Sequence, residues 1–156
     1  MVLVVEFLFL LLLANATPVL ARELLQHRFD RPLDGGLRFI DGEPLLGPSK
    51  TARGVLLSIP VTALGAHLLG LDWHIGALAA ALSMAGDLLS SFIKRRMKVP
   101  SSGSVPGLDQ IPESLFPALA CQSALHFDSV DIVLIVSVFL IGNLAVNRAG
   151  RQALGR

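Results

Sequence analysis

The sequence is poor in charged residues and has a single cysteine. Only 16% of its 156 residues are Asp, Glu, Lys or Arg, whereas 53% are hydrophobic. A water-soluble domain carries about 25% charged residues, so this chain has too few to cover the surface of a soluble globule. Cys121 has no partner for an internal disulfide. The net charge of +1 excludes nucleic-acid binding driven by bulk charge, and the apolar fraction excludes a disordered chain.

Long apolar stretches predict an all-α, polytopic membrane protein that forms one domain over residues 1–156. A helix needs about 20 mostly apolar residues to cross a bilayer core about 30 Å thick. The fourth stretch is the weakest, because it is short and contains Pro112, Glu113 and Pro117. The five predicted transmembrane helices cover residues 2–21, 54–71, 73–93, 111–125 and 130–146.

The first span has an alternative interpretation as a signal peptide. The apolar run 8–13, followed by the small residues 14–16, is typical of a leader with a cleavage site. No cation precedes this run, and Glu6 stands where positive charge is expected, so we interpret the segment as a span. Asn15 lies beside Pro18, which frees a backbone carbonyl, and predicts an interhelical hydrogen bond.

The positions of the cations predict the orientation of the spans. All 13 Lys and Arg residues lie between the first two spans, directly after the third, or after the fifth. The links at Asp72 and at residues 126–129 contain none. With five spans, the positive-inside rule puts the N-terminus outside and the C-terminus in the cytoplasm. Two ordered cytoplasmic loops, residues 22–53 and 94–110, then carry most of the cations.

Asp87 is the most informative residue, because a carboxylate inside a span costs a few kcal/mol and is functional by default. At helical spacing, Ser90 and Lys94 lie on the same face as Asp87. The run 94–96 beside this acid suits a metal–phosphate site, where Mg²⁺ bridges carboxylate and phosphate oxygens. Two alternatives stay open: neutralisation of Asp87 by Lys94 or Arg95 for packing alone, and a lipid-headgroup anchor.

Two further segments add an acid and cations to the same face. The turn at residues 106–110 places Asp109 just before the fourth span, where it can face Asp87 and share a cation with it. Capping of the fourth helix by Asp109 is the alternative. Lys50 and its neighbours precede the second span, where a helix N-terminus favours anions. Ordinary juxtamembrane cations would give the same pattern.

Several segments together resemble the CDP-archaeol synthase family, small five-span membrane enzymes related to phosphatidate cytidylyltransferases. The resemblance covers nearly the whole chain and is carried by residues 14–19, 32–34, 41–42, 47–54, 86–96 and 106–110. The family usually reads Gly-Asp-Gly-Lys-Thr-Trp-Arg-Gly at the position of residues 47–54. Here Gly-Pro-Ser-Lys-Thr-Ala-Arg-Gly keeps the two cations and lacks the acid and the tryptophan.

The resemblance implies a CTP-dependent nucleotidyltransferase of the cell membrane. This enzyme transfers CMP from CTP to a lipid phosphate in the bilayer, giving a CDP-lipid and pyrophosphate, with Mg²⁺ as cofactor and an active site that faces the cytoplasm. It implies catalytic roles for Asp87, Asp109 and Lys94, with Asp87 and Asp109 as the metal ligands. The residues implied in binding the nucleotide and its phosphates are Lys50, Thr51, Arg53, Ser90, Arg95, Arg96 and Asp41, and Asp34 is a weaker match.

Other functions remain alternatives. A cytidylyltransferase could act on ordinary diacyl phosphatidate or on a polyprenyl phosphate instead of an ether lipid. A non-catalytic membrane subunit could use the basic loops to dock a partner or anionic lipid. A transporter with Asp87 as its ion site is disfavoured by the small number of spans and the lack of paired broken helices.

Cysteine labelling tests the predicted orientation. A cysteine introduced at position 72 should react in intact cells with a membrane-impermeant thiol reagent, because the positive-inside rule puts this link outside. A cysteine at position 102 should stay unlabelled. The parent protein, with Cys121 alone, gives the background. Labelling at position 102 from outside would overturn the orientation and the site assignments that depend on it.

Overall fold

The computed structural model describes residues 1–26, 28–101 and 103–154, and over these ranges the chain folds into five α-helices. They are α1 (Val2–Leu25), α2 (Ala52–Leu68), α3 (Trp73–Arg96), α4 (Gln110–Leu125) and α5 (Ser129–Leu154). Each predicted apolar stretch overlaps one helix, and the all-α class is confirmed. Position 102, used above for labelling, and the cation Arg156 lie outside the described residues.

Three segments are long and apolar enough to cross a membrane: α1, α3 and the part of α5 from Ser129 to Arg148. The helix α2 is apolar but has 17 residues, which corresponds to a length of about 25 Å. The helix α4 has 16 residues and contains Pro117. The membrane character is therefore clear from three helices, while five crossings and the orientation stay predictions.

The central helix is α3, which packs against α1, α2 and α4. Small side chains allow this, because they let neighbouring helix backbones approach closely. A Cβ atom on Gly76 would lie 2.5 Å from the backbone oxygen of Thr62 in α2. One on Gly86 would lie 2.5 Å from the carbonyl group of Pro112 in α4. The other small buried residues of α3 are Ala79, Ala80, Ser83, Ser90 and Ser91.

Polar groups also join α1 to its neighbours inside the bundle. Asn15 donates from Nδ2 to Ser83 Oγ on α3 at 2.9 Å, which confirms the predicted interhelical hydrogen bond. Pro18 has no N–H for the carbonyl of Ala14, and this oxygen accepts a hydrogen bond from Ser58 Oγ on α2 at 2.8 Å. The side chains that α1 buries completely are Phe7, Leu10, Leu11 and Ala14, so this helix is part of the core.

A buried carboxylate, Asp34, organises the loop between α1 and α2. Its oxygens accept backbone N–H hydrogen bonds at 2.8 to 3.1 Å from three residues, Gly36, Leu46 and Gly47. Burial by itself would raise the pKa of Asp34, but the backbone donors outweigh it and hold this pKa below 3.8. The N–H of Leu33 donates to the carbonyl of Lys50 at 2.7 Å. The loop therefore fixes the backbone of Lys50 just before α2 begins.

Substituting Gly86 tests the contact between α3 and α4. We expect Gly86→Ala to lower the stability by about 1–3 kcal/mol, because the new Cβ would collide with the backbone of Pro112. The unfolding midpoint of the purified protein in detergent measures this loss.

Gly142→Ala on α5 is the matched control, since a Cβ there meets nothing within 4 Å. The control should unfold at or slightly above the wild-type midpoint. Equal midpoints for both variants would contradict a tight crossing at Gly86.

Candidate active site

An ion pair between Lys50 and Asp87 forms the centre of the candidate site. The Nζ atom of Lys50 lies 2.6 Å from both carboxylate oxygens of Asp87. Each of these side chains keeps 20% of its surface exposed. The pair joins the loop before α2 to the cytoplasmic half of α3 expected from the sequence. The neutralising partner of Asp87 is thus Lys50, whereas local spacing pointed to Lys94 or Arg95.

A second ion pair links Lys94 on α3 to Asp109 at the start of α4. Lys94 Nζ lies 2.8 Å from Asp109 Oδ1, and the two side chains are only 8% and 14% exposed. Lys94 also donates to the carbonyl of Gly103 at 3.3 Å. The other oxygen of Asp109 accepts the N–H of Val105 at 3.2 Å. Asp109 makes no side-chain capping bond to α4, so it holds the preceding turn instead.

Glu113 is a third carboxyl group in this cluster, and the sequence reasoning missed it. Its side chain is buried, and its carboxyl group lies near Asp87, Lys50 and Asp109. In the sequence, Glu113 stands out only as a charged interruption of the weakest predicted span. A signal was present, since Glu113 follows Asp109 by four residues and therefore lies on the same face of α4.

The carboxyl groups of this cluster are suited to share a cation. Three carboxyl groups and two ammonium groups lie near one another there. The neighbouring acids Asp87 and Glu113 avoid mutual repulsion either by keeping a proton on one of them or by sharing a cation. Carboxylate oxygens are the donors that Mg²⁺ prefers. The donor set fits a hard divalent cation, although the described residues contain no ready-made group of three metal ligands.

Arg53 lies close to the cluster in sequence, but its guanidinium group binds the end of α1. Nη1 donates to the carbonyls of Gln26, at 2.7 Å, and of Arg28. Nη2 pairs with the carboxylate of Asp30 at 2.9 Å. Arg53 is buried, and these contacts give hydrogen-bond partners to carbonyl groups of the chain directly after α1.

Arg95 connects the two loops of this end of the bundle. Its Nη1 donates to Ser101 Oγ at 2.9 Å, and its Nη2 donates to the carbonyl of Pro100 at 2.8 Å. Gly47 of the other loop lies against the same serine, where a Cβ would come 2.8 Å from Oγ. Arg95 thus fixes the second loop against the first.

Arg96 attaches the first loop to α3. Its guanidinium group lies against two aromatic rings that meet edge to face, 4.7 Å from the centroid of Phe39 and 4.9 Å from that of Phe92. Such contacts are cation–π interactions. Nη1 also lies 3.1 Å from Asp41 Oδ1, and Nη2 donates to the carbonyl of Pro44 at 2.6 Å. Phe39, Asp41 and Pro44 belong to the loop before α2, whereas Phe92 and Arg96 belong to α3.

Two predicted binding residues have local roles as well. The hydroxyl of Ser90 is buried and donates to the backbone oxygen of Asp87 at 2.9 Å, within α3. Thr51 occupies the N-cap position of α2 without a side-chain capping bond and pairs through its backbone with Pro32.

Of the residues that the sequence singled out, the cluster brings together Lys50, Asp87, Lys94 and Asp109. Phosphate binding by the others stays a prediction.

Comparisons with known proteins agree over almost the whole chain. Residues 1–150 match the family described as CarS-like CDP-archaeol synthase. The CDP-archaeol synthase of Hyperthermus butylicus is 34% identical over 148 residues, which cover 88% of this chain and 85% of that protein. The CDP-archaeol synthase of Sulfurisphaera tokodaii is 32% identical over 125 residues, 73% of this chain and 75% of that protein.

The helical architecture is shared with a solved structure as well. That structure is of an intramembrane enzyme for archaeal membrane lipids biosynthesis. It is 31% identical to this chain and superimposes with a TM-score of 0.75 over 92% of this chain and 91% of its own. The sequence matches and the shared arrangement of helices lead to the same assignment: this chain belongs to the CDP-archaeol synthase family.

Proposed function

We propose that this chain transfers CMP from CTP to a lipid phosphate in the bilayer and releases pyrophosphate. Membership of the CDP-archaeol synthase family supports this reaction and an ether-linked lipid phosphate as the acceptor. One observation supports the location of the site. The ion pairs Lys50–Asp87 and Lys94–Asp109 lie near the buried Glu113 at one end of the bundle.

To catalyse this reaction, the protein has to position the two substrates and stabilise the negative charge of their phosphates, and it needs to form no covalent bond with them. An oxygen of the lipid phosphate attacks the α-phosphorus of CTP and forms a new P–O bond. The bond from the α-phosphorus to the bridging oxygen breaks, and its electron pair leaves with pyrophosphate. The two substrates bring about five or six negative charges together, so cations must be fixed in place beforehand. The ammonium groups of Lys50 and Lys94 are suited to bind phosphate oxygens.

The carboxyl groups Asp87 and Glu113, with Asp109 beside them, would hold Mg²⁺. When bound, this ion would neutralise phosphate charge and stabilise the charge on the leaving pyrophosphate. Lys94 contributes a fixed positive charge, because Asp109 and the carbonyl of Gly103 hold its ammonium group. Asp109 in turn accepts the N–H of Val105 within the turn before α4 and joins this turn to α3 through Lys94.

We place this site at the cytoplasmic face of the cell membrane, in a protein that crosses the membrane several times. The two loops that surround the cluster carry ten of the Lys and Arg residues, which supports that orientation. Large apolar side chains such as Leu89, two residues after Asp87, are exposed on the helices. The lipid phosphate would reach the cluster at headgroup level while its tails lie against such faces.

A product assay tests the proposed reaction. Purified protein, labelled CTP and Mg²⁺ should convert an archaeol-type lipid phosphate into a labelled CDP-lipid, and EDTA should abolish the conversion. A panel that adds diacyl phosphatidate and a polyprenyl phosphate measures acceptor preference. Formation of no labelled lipid with any acceptor would contradict the proposal and favour the non-catalytic subunit.

The acids of the cluster should be essential for turnover. We expect Asp87→Asn and Asp109→Asn each to lower CDP-lipid formation at least ~100-fold, a loss of about 2.7 kcal/mol of transition-state stabilisation. Each change removes charge that holds a lysine and would hold the metal. The rate of the product assay measures the loss, and the unfolding midpoint shows whether each variant is folded.

Asp72→Asn is the matched control at the opposite end of α3. Asp72 caps this helix by accepting the N–H of His74, and asparagine caps as well as aspartate does. The control should keep wild-type activity. A folded Asp87→Asn or Asp109→Asn variant with wild-type turnover would remove that residue from the site.

A further inference from the structure

We propose that Lys50 is an internal substitute for the divalent cation. In the substrate-free protein its ammonium group occupies the cation position on Asp87, and it moves to the phosphates of the nucleotide when a divalent cation takes over the carboxylate. This inference rests on the proposed metal site and adds a role that the metal site alone does not require.

The geometry of the pair supports direct competition. The Nζ atom of Lys50 is equally distant, at 2.6 Å, from Oδ1 and Oδ2 of Asp87. It therefore lies between the two oxygens that a divalent cation would use. Mg²⁺ binds carboxylate oxygens at about 2.0–2.1 Å and needs the same lone pairs. Lys50 and the cation cannot both hold that position.

The two lysines of the cluster differ in their freedom to move. The backbone of Lys50 is fixed, since its carbonyl accepts the N–H of Leu33 and its N–H donates to Gly47. Its ammonium group, in contrast, lies at the end of a flexible four-carbon chain that is 20% exposed. Lys94 is 8% exposed, and its Nζ contacts both Asp109 and Gly103. Lys50 can thus swing while its Cα stays in place, and Lys94 is held.

Glu113 makes the exchange conditional on a replacement charge. It is buried near Asp87, so departure of Lys50 alone would leave the Asp87 carboxylate beside a second acid and without its neutralising partner. Lys50 therefore leaves only when another cation arrives, and its ammonium group becomes available at the moment when a polyphosphate needs a partner. Binding of the metal and binding of CTP are linked through one side chain.

Measuring metal and nucleotide binding separately tests this exchange. In the purified full-length protein, Lys50→Met should bind Mn²⁺ alone at least ~10-fold more tightly than wild type, as counted from free Mn²⁺ by electron paramagnetic resonance. The same variant should bind labelled CTP, in the presence of Mg²⁺, at least ~10-fold more weakly in equilibrium dialysis. Opposite changes are the specific result, because a merely structural role would weaken both.

Two variants serve as controls. Lys50→Arg keeps a cation beside Asp87 and should show wild-type Mn²⁺ affinity. Lys98→Met removes one ammonium group from an exposed position at the same end of α3 and should leave Mn²⁺ affinity unchanged. Equal tightening in Lys98→Met and Lys50→Met would mean a general charge effect and overturn the proposal.

Failure of the exchange and failure of the metal site give different results. If wild type binds Mn²⁺ and Lys50→Met binds it equally or more weakly, the exchange is wrong and the metal site stands. If neither protein binds Mn²⁺ at millimolar concentration, or if Asp87→Asn added to Lys50→Met leaves Mn²⁺ binding intact, the metal site at Asp87 is wrong and the exchange falls with it.

Discussion

Where α3 and α4 cross, no side chain separates Gly86 from the backbone of Pro112 and Glu113. This contact brings Asp87, the next residue of α3, close to the carboxyl group of Glu113. Two acids so close together inside a bundle of apolar helices cannot both stay charged without cations nearby. The arrangement of the lysines fits that constraint. Lys50 pairs with Asp87 and Lys94 pairs with Asp109, and other contacts hold the backbone of each lysine in place.

Three arginines hold the loops around the cluster in place. Arg53 binds the end of α1, Arg95 binds the loop after α3, and Arg96 clamps the loop before α2. Their guanidinium groups have planar arrays of donors that can satisfy several carbonyl groups at once. Arg53 and Arg95 are buried at a large cost in solvation, so each needs such partners. The cations at this end of the bundle therefore divide into the lysines Lys50 and Lys94, which pair with the acids of the cluster, and arginines that hold the loops.

The sequence predicted the all-α class and the positions of the helices, because runs of apolar residues determine where a chain can lie in a bilayer. It also predicted that Asp109, just before the fourth span, can face Asp87 and share a cation with it, and this sharing stays a prediction. It did not predict that Lys50 neutralises Asp87, because that contact joins residues 37 positions apart through the fold of a loop. Glu113 was missed because burial of a carboxyl group depends on the packing of α4 against α3. The partners of Arg96 are tertiary as well.

The buried carboxylate of Asp34 has a consequence for acid tolerance. Its pKa lies below 3.8 in the folded protein, because three backbone N–H groups favour the ionised form over the opposing effect of burial. A group with a lowered pKa stabilises the fold fully above its ordinary pKa and loses that contribution as the pH falls through the lowered value. The loop that carries Lys50 therefore keeps its shape through mildly acidic conditions.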